Sequence, residues 1–378
     1  MTESRAKGYV LCVVGCRSIN KRMAMFIEGV LTEGLAVRIV SLPRGRWILD
    51  KSENPTLPSR IGRLTVDIGE VSGTRLASVM CFHWSMLPAA LGYGLLRQVP
   101  VLYDEHDHYE LNTLEGGGSA IKRAAYSHLV RWIHRMFLPF VSLVTCIHLH
   151  QETLKKHLSQ WQSRVIEVHN YPARIWRQSR SLHDSATKLC FVYIGGVYYE
   201  KGVGASAEAF QLLPDQARQN AELHVFGEGD ADLIRQLRTM PGVVVHNGVT
   251  PAEFRRFAAG RRCCGLSLLA NTPRYSLVGT NCTKLYEYLA LGMPVIATRV
   301  GEFTQFVGGR QLGRLIDGDL NRRQLADEML KLLEDDTMFD RLAGNARELM
   351  GSEEMTWEYE WDRIYGTGVF GSNRKKAA

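Results

Sequence analysis

No stretch of these 378 residues supplies the roughly 18 to 20 uninterrupted apolar side chains that a membrane-spanning helix needs, so no bilayer span is expected. Cysteine never occurs as C-x-x-C. The eight thiols, at 12, 16, 81, 146, 190, 263, 264 and 282, are scattered and mostly lie in apolar runs such as Leu189-Cys190-Phe191-Val192. That pattern argues for reduced core residues in a cytosolic protein, the adjacent Cys263-Cys264 pair included, and against zinc or dithiol redox sites. Neither a G-x-G-x-x-G fingerprint nor a Walker loop is present, which weakens the dinucleotide and P-loop readings. Helix-turn-helix, zinc-finger and aromatic RNA-binding signatures are missing too, and with them the case for a nucleic-acid partner. No unit of roughly 20 to 50 residues repeats, so solenoids and propellers drop out.

What is present describes a globular protein. Hydrophobic residues at 45% and charged residues at 22% are ordinary soluble proportions, and the length exceeds what one core usually organises, so two domains are expected. The formal charge of +7 is unevenly divided. Residues 1–180 carry 23 Lys/Arg against 14 Asp/Glu, a net of +9, whereas residues 181–378 carry 23 against 25, a net of −2. A basic first half attracts anionic lipid or an anionic substrate. The first apolar run, 9–15, is too short and too β-rich for a signal peptide, which points to a cytoplasmic protein, peripheral on the inner face of the membrane.

β-branched runs alternate with helix-length amphipathic runs: 9–14, then 19–33, then 37–42, continuing through strands at 77–82, 99–103, 141–147 and 164–168. That alternation predicts parallel sheets of β-α-β units. It breaks at Asn170-Tyr171-Pro172 and the polar stretch that follows, read as a linker over 173–187 between an N-terminal domain, 1–172, and a C-terminal domain, 188–352. The second series has strands at 188–194, 221–226, 243–246, 263–269, 294–298 and 314–316. The expected architecture is α/β: two doubly wound Rossmann-like domains facing across a cleft, with ligands at the C-terminal strand ends. A last segment, 353–378, with a helical run at 353–365 that carries Trp357 and Trp361, is expected to pack back on the first domain.

Two clusters carry chemistry. Gly195-Gly196-Val197-Tyr198-Tyr199-Glu200-Lys201-Gly202 lies where a strand ends and a helix starts; glycines there admit a ligand to the backbone, free helix N–H groups favour an anion, and Lys201 adds a cation. A tight turn with a surface lysine is the alternative. In the run 281–298, Leu285, Tyr288, Leu289 and Gly292 fall at helical spacing and Pro294 opens a buried strand. Glu287 on that helix either complements the helix dipole or accepts from a ribose diol.

These segments resemble the retaining group 1 glycosyltransferases of GT-B fold, called family four. The resemblance is strongest over 188–350 and rests on four ordered matches: the turn 195–202, Val225-Phe226-Gly227-Glu228-Gly229, Val245-His246-Asn247-Gly248-Val249, and the run from Lys284 to Thr298. It implies a nucleotide-sugar donor, with Gly195, Gly196 and Lys201 at the diphosphate, Glu287 at the ribose, the turn His246-Asn247-Gly248 facing the base, and Thr283, Lys284 and Leu285 completing the donor site. Val101-Leu102-Tyr103-Asp104-Glu105-His106-Asp107 is similar to the segment whose histidine lies near the reacting sugar, giving His106 the catalytic role. Gly15 and Arg17 correspond to the loop that covers the diphosphate and meets the acceptor. The implied partners are a nucleotide-diphosphate sugar and a lipid-linked or polysaccharide acceptor, with no cofactor and no metal. Two positions depart from the family pattern: Gly196 stands where an arginine is frequent, and Gly279 where a glutamate contacts the donor sugar.

Rival readings come from the same residues. A nucleotide-sugar 2-epimerase and a catalytically silent sugar-nucleotide-binding relative share the fold. The acids Asp104, Glu105, Asp107 and Glu110 invite a glycosidase reading. His106 with His108, or His148 with His150, share a strand face but lack a third metal ligand at a recognisable spacing. Arg123, Arg131, Arg135, Trp132, Phe137 and Phe140 fall in one helical stretch, either a basic helix on an anionic bilayer or an ordinary core helix with a solvated face.

Overall fold

In the computed structural model, which describes residues 8–15, 20–41, 47–48, 60–61, 65–106, 119–147, 164–177, 188–272, 275 and 282–371, the chain divides into two units, Met1–His169 with Glu358–Ala378, and Asn170–Trp357. The first unit runs β1 (Tyr9–Val14), α1 (Lys21–Thr32), β2 (Ala36–Ser41), β3 (Trp47–Ile48), β4 (Arg60–Ile61), β5 (Thr65–Ile68), β6 (Leu76–Cys81), α2 (Leu87–Arg97), β7 (Val101–Glu105), α3 (Ala120–Phe137), β8 (Leu143–Cys146) and β9 (Val165–Glu167). Its main sheet has the order β5-β2-β1-β6-β7-β8-β9. Val10, Cys12 and Val14 of β1 are buried, and so are Leu11 and Val13 between them, because helices cover both faces of a doubly wound sheet. Asn20 starts α1 by accepting from the Met23 amide at 2.9 Å.

The second unit contains β10 (Leu189–Ile194), α4 (Val203–Gln211), α5 (Asp215–Gln219), β11 (Ala221–Phe226), α6 (Ala231–Arg238), β12 (Val243–His246), α7 (Pro251–Ala258), β13 (Cys263–Ser267), α8 (Thr283–Ala290), β14 (Val295–Thr298), β15 (Gly313–Ile316), α9 (Arg322–Glu334) and α10 (Asp336–Gly351). The six strands are all parallel, in the order β12-β11-β10-β13-β14-β15. Strand β10 feeds both layers: Leu189, Phe191 and Tyr193 enter one core, and Cys190, Val192 and Ile194 the other. Strand order reverses between β10 and β13, and in the first unit between β1 and β6, so each unit has its own switch point where ligands bind in such folds.

Three features differ from the sequence reading. Strand β5 pairs antiparallel on β2, an edge addition that the β-α-β alternation does not signal. Within the stretch read as linker, Trp176 is fully buried against Phe254, so 173–177 belongs to the second unit, while 178–187 lies outside the described residues. The stretch 353–365 is two pieces. Thr356 is extended (φ −123°, ψ 152°) between a single turn at Glu353–Met355, held by Arg174 and Arg177, and α11 (Trp357–Tyr365). From Glu358 onward the chain packs with the first unit, where Trp361 meets Phe26 edge-on at 6.1 Å.

Candidate functional site

At the switch point of the second unit the loops after β10 and β11 are zipped together. Gly195 N–H donates to Phe226 O at 2.9 Å, Val197 bridges Gly229, and Asp230 N–H donates to Val197 O. A side chain at Gly227 could not be accommodated, since its Cβ would stand 1.8 Å from Gly195 O. The Gly195–Gly196 turn is further tied by the Tyr193 hydroxyl, which donates to Gly196 O at 2.6 Å.

Gly196 has little room for a larger side chain. A Cβ there would lie 2.7 Å from the Tyr198 ring and 3.6 Å from Lys201 Nζ. The Lys201 ammonium in turn sits over the Tyr198 ring, 5.6 Å from its centroid. A second cation reaches the same turn from α8. Lys284 Nζ lies 4.2 Å from the centroid of Tyr193, the residue that ties the turn, and the Nζ is shut off from solvent without a hydrogen-bond acceptor among the described residues. Burial lowers its pKa, opposed by the nearby Cys282 and Glu287. An orphaned buried ammonium is costly unless an anion joins it.

Glu287 is 2% exposed and sits in the second turn of α8, so a first-turn dipole role does not account for it. Thr283 is half-buried at the start of the helix. Leu285 serves the core instead: its side chain is fully buried and its amide donates to Cys282 O, which leaves it nothing to offer a donor. Gly292 (φ 69°) closes the helix. In the third loop, His246 stacks on Phe226 (4.1 Å between centroids, 6° between planes), and Asn247 accepts from Arg238 at 2.9 Å. Burial, then the adjacent His224, lower the His246 pKa. Gly248 abuts Glu228, whose Oε1 would lie 3.0 Å from a Cβ.

The first unit assembles a different constellation at the end of β7. Asp104 is fully buried and receives Arg22 through Nε (2.9 Å to Oδ2) and Nη2 (2.8 Å to Oδ1), and the Thr145 hydroxyl at 2.5 Å. Burial alone would raise its pKa; Arg22 and His106 overcome that and hold the carboxyl well below the usual carboxylate range. His106 Nδ1 lies 3.5 Å from Asp104 Oδ2, which puts the imidazole within ion-pair reach of a carboxylate clamped by an arginine. Glu105 is equally committed, bonded by the Tyr103 hydroxyl, with His134 Nε2 at 3.4 Å. Neither acid is available as a glycosidase nucleophile, and Asp107 and Glu110 lie outside the described residues, as do His108, His148, His150, Arg17 and Gly279. Gly15 follows β1, and the His83 ring lies 2.7 Å from where its Cβ would stand. His83, Arg22 and Thr145 escaped the sequence reading because no local motif marks them.

Comparison with known proteins agrees with this architecture. The sequence model of the family described as Glycosyl transferases group 1 matches residues 175–349. A curated relative, the lipopolysaccharide glucosyltransferase WaaG of Escherichia coli (strain K12), is 24% identical over 186 residues, which make up 48% of this chain and 46% of that protein. The match thus spans about half the length of that relative. Among solved structures, a crystal structure of WaaG, a glycosyltransferase involved in lipopolysaccharide biosynthesis, is similar with a TM-score of 0.60 and 16% identity, covering 94% of this chain and 100% of that one. Anabaena Alr3699/HepE in complex with UDP and glucose has a TM-score of 0.62 at 12% identity, covering 95% and 99%. These structural likenesses establish the GT-B fold. With that fold, and with residues 175–349 of its second unit matched by the family model, the chain is similar to the group 1 glycosyl transferases.

Proposed function

We propose that the chain transfers a sugar, with retention, from a nucleoside-diphosphate donor to a lipid-linked or polysaccharide acceptor. The observation that carries the proposal is the pair of lysines converging on the Gly195–Gly196 turn, one of them a buried ammonium with no acceptor among the described residues. A diphosphate is the anion that suits two cations beside a glycine turn and a helix N-terminus. In the reaction the bond from the anomeric carbon to the diphosphate oxygen breaks and a bond to the acceptor oxygen forms on the same face. The departing diphosphate takes the acceptor proton. Lys201, Lys284 and the start of α8 stabilise the charge that develops on the leaving group, so no protein nucleophile is required. Glu287 accepts from the ribose hydroxyls, the 246–248 turn faces the base, and His106 is the histidine near the reacting sugar, with the Asp104 carboxylate beside its ring.

UDP-glucose is the first donor to test, since the similar Anabaena protein has been crystallised with it. Calorimetric titration with nucleoside diphosphates and their sugars is expected to show binding, and Glu287→Gln to weaken it roughly tenfold or more, as for loss of a hydrogen bond to a charged group. Melting of Glu287→Gln is expected to stay near wild type, because α8 packs through Leu285, Tyr288 and Leu289. Early melting with affinity preserved would assign Glu287 to structure. Binding without turnover, by any acceptor and without slow donor hydrolysis, would identify a silent relative.

The basic first unit supports the acceptor side. Helix α3 turns Ser127, Val130, Ile133 and His134 inward, yet its outer face is not the polar face of an ordinary surface helix. Ile121 (82% exposed), Leu129, Trp132 (55%) and Met136 form an apolar stripe there, with Lys122 and Arg135 exposed beside it; Phe137 is half-buried against the core and takes no part. An apolar stripe edged by cations suits an anionic bilayer, each cation near the surface adding about 1 kcal/mol. The protein is therefore expected to float with anionic vesicles at low salt and to be released by high salt, and Trp132→Ser to weaken flotation. Equal flotation with neutral vesicles, or none, would assign the charge of the first half to the substrate instead. Among the described residues no helix is long and apolar enough to cross a membrane.

A further inference from the structure

Away from the strand ends that hold the proposed donor site, the second unit gathers soft and borderline metal ligands at the opposite end of its sheet. Cys190 is the second residue of β10, Glu222 is its register partner on β11, and Cys263 its register partner on β13. His224, two residues along β11 from Glu222, projects from the same face. One ligand atom each from Cys190, Glu222 and His224 lie within 4.8 Å of one another. Cys263 stands beside Cys190 across the β10–β13 pair, and the two side chains enter the same core layer. Two adjacent strands thus converge a sulfur, an imidazole nitrogen and a carboxylate oxygen, and β13 sets the Cys263 side chain next to that sulfur; Cys190, His224 and Cys263 are buried and Glu222 is at the solvent edge beside Lys188.

We propose that Cys190, Glu222, His224 and Cys263 form a structural binding site for a thiophilic divalent cation of the zinc class. The donor set of two thiolates, one imidazole and one carboxylate is within what zinc accepts in four-coordinate sites. The outer sphere fits as well. His224 Nε2 faces Glu222 at 3.1 Å, and its other nitrogen, Nδ1, lies 3.0 Å from His246 Nε2. That second contact lets Nδ1–H donate to His246, which directs the Nε2 lone pair at the cation, the arrangement that orients metal-bound histidines. On binding, each thiol releases its proton to solvent and Glu222 exchanges its Lys188 contact for the metal. Such a clip joins β10, β11 and β13 and fixes His224, hence His246 at the head of the third loop. The spacing of the cysteines concealed it, because the ligands come from three strands and no two of them make a C-x-x-C pair.

The test uses the full chain, reduced, stripped with chelator, and titrated with cobalt(II) and zinc(II). One equivalent of cobalt is expected to bind with a thiolate-to-cobalt charge-transfer band, and zinc to displace it. Cys190→Ser and His224→Ala are expected to lose the band or weaken zinc binding at least tenfold, while Cys264→Ser, whose thiol lies in the other core layer, keeps both. Should Cys190→Ser fail to fold, Glu222→Ala at the solvent edge reports the same loss of affinity. No thiolate band in the wild type, or zinc affinity unchanged in His224→Ala and Glu222→Ala, overturns the proposal. Neither readout involves nucleotide, so failure here leaves the donor-site reading untouched, and failure of nucleotide binding leaves this one standing.

Discussion

Replacing Arg22 by methionine is expected to cost the first unit about 3–5 kcal/mol at neutral pH, the usual penalty for leaving one partner of a buried ion pair alone. Arg22 is the counter-charge of Asp104, and through Nη1 it also donates to Val168 O at 2.9 Å, so one guanidinium ties α1 to β7 and to the end of β9. Methionine replaces the stem and leaves the buried carboxylate with Thr145 and His106 beside it but without its counter-charge. The pH dependence separates this from simple loss of packing. In the wild type the Asp104 pKa is depressed, so its contribution is complete above the unfolded carboxylate value and is lost as pH falls toward the folded one. In the variant, burial acts unopposed by Arg22 and raises the pKa, so stability falls as pH rises through the new value. The gap between the two proteins therefore widens from acid to neutral pH. Urea titrations at both conditions check it; a loss under about 1 kcal/mol, or one independent of pH, would mean the pair does not organise this unit. Asp104→Asn with Arg22 intact strands the guanidinium instead and should disturb His106 as well.

Replacing Lys284 by methionine should move stability and affinity in opposite directions. The ammonium is desolvated and finds no acceptor among the described residues, so a neutral side chain of similar length is expected to raise the melting temperature of the ligand-free protein. Nucleoside-diphosphate affinity is expected to fall by about 10- to 150-fold, the equivalent of about 1.5–3 kcal/mol for a charge-assisted contact. A proton signature accompanies it. Because the Lys284 pKa is lowered in the folded protein, the unfolded chain binds more protons in the window between the two values, and stability of the free protein rises with pH there. A bound phosphate restores the pKa upward, so binding takes up protons and weakens as pH rises through the free-protein value. Calorimetry in two buffers of different ionisation enthalpy measures the uptake, which Lys284→Met should abolish. Affinity unchanged in the variant removes Lys284 from the site.

The order of the elements was legible residue by residue where a strand is a short apolar run between breaks. β11 at Ala221–Phe226 and β12 at Val243–His246 start and stop where the sequence places them, because alternation and flanking polar residues are local signals. The same locality made the glycine turn after β10, the helix carrying Glu287 and the histidine after β7 visible as motifs. What the sequence could not contain is which distant groups meet. Arg22 and Asp104 are 82 residues apart, and nothing near either one announces the other. The resemblance placed Lys284 at the donor, but only the fold shows its ammonium buried over Tyr193, and Leu285 beside it, counted as a donor contact, is core. The antiparallel edge strand β5 and the break at Thr356 likewise follow from what the chain packs against. Local periodicity thus determined the two doubly wound units and the family turns, whereas burial and charge pairing, which depend on neighbours brought in from tens of residues away, decided which of those residues can act.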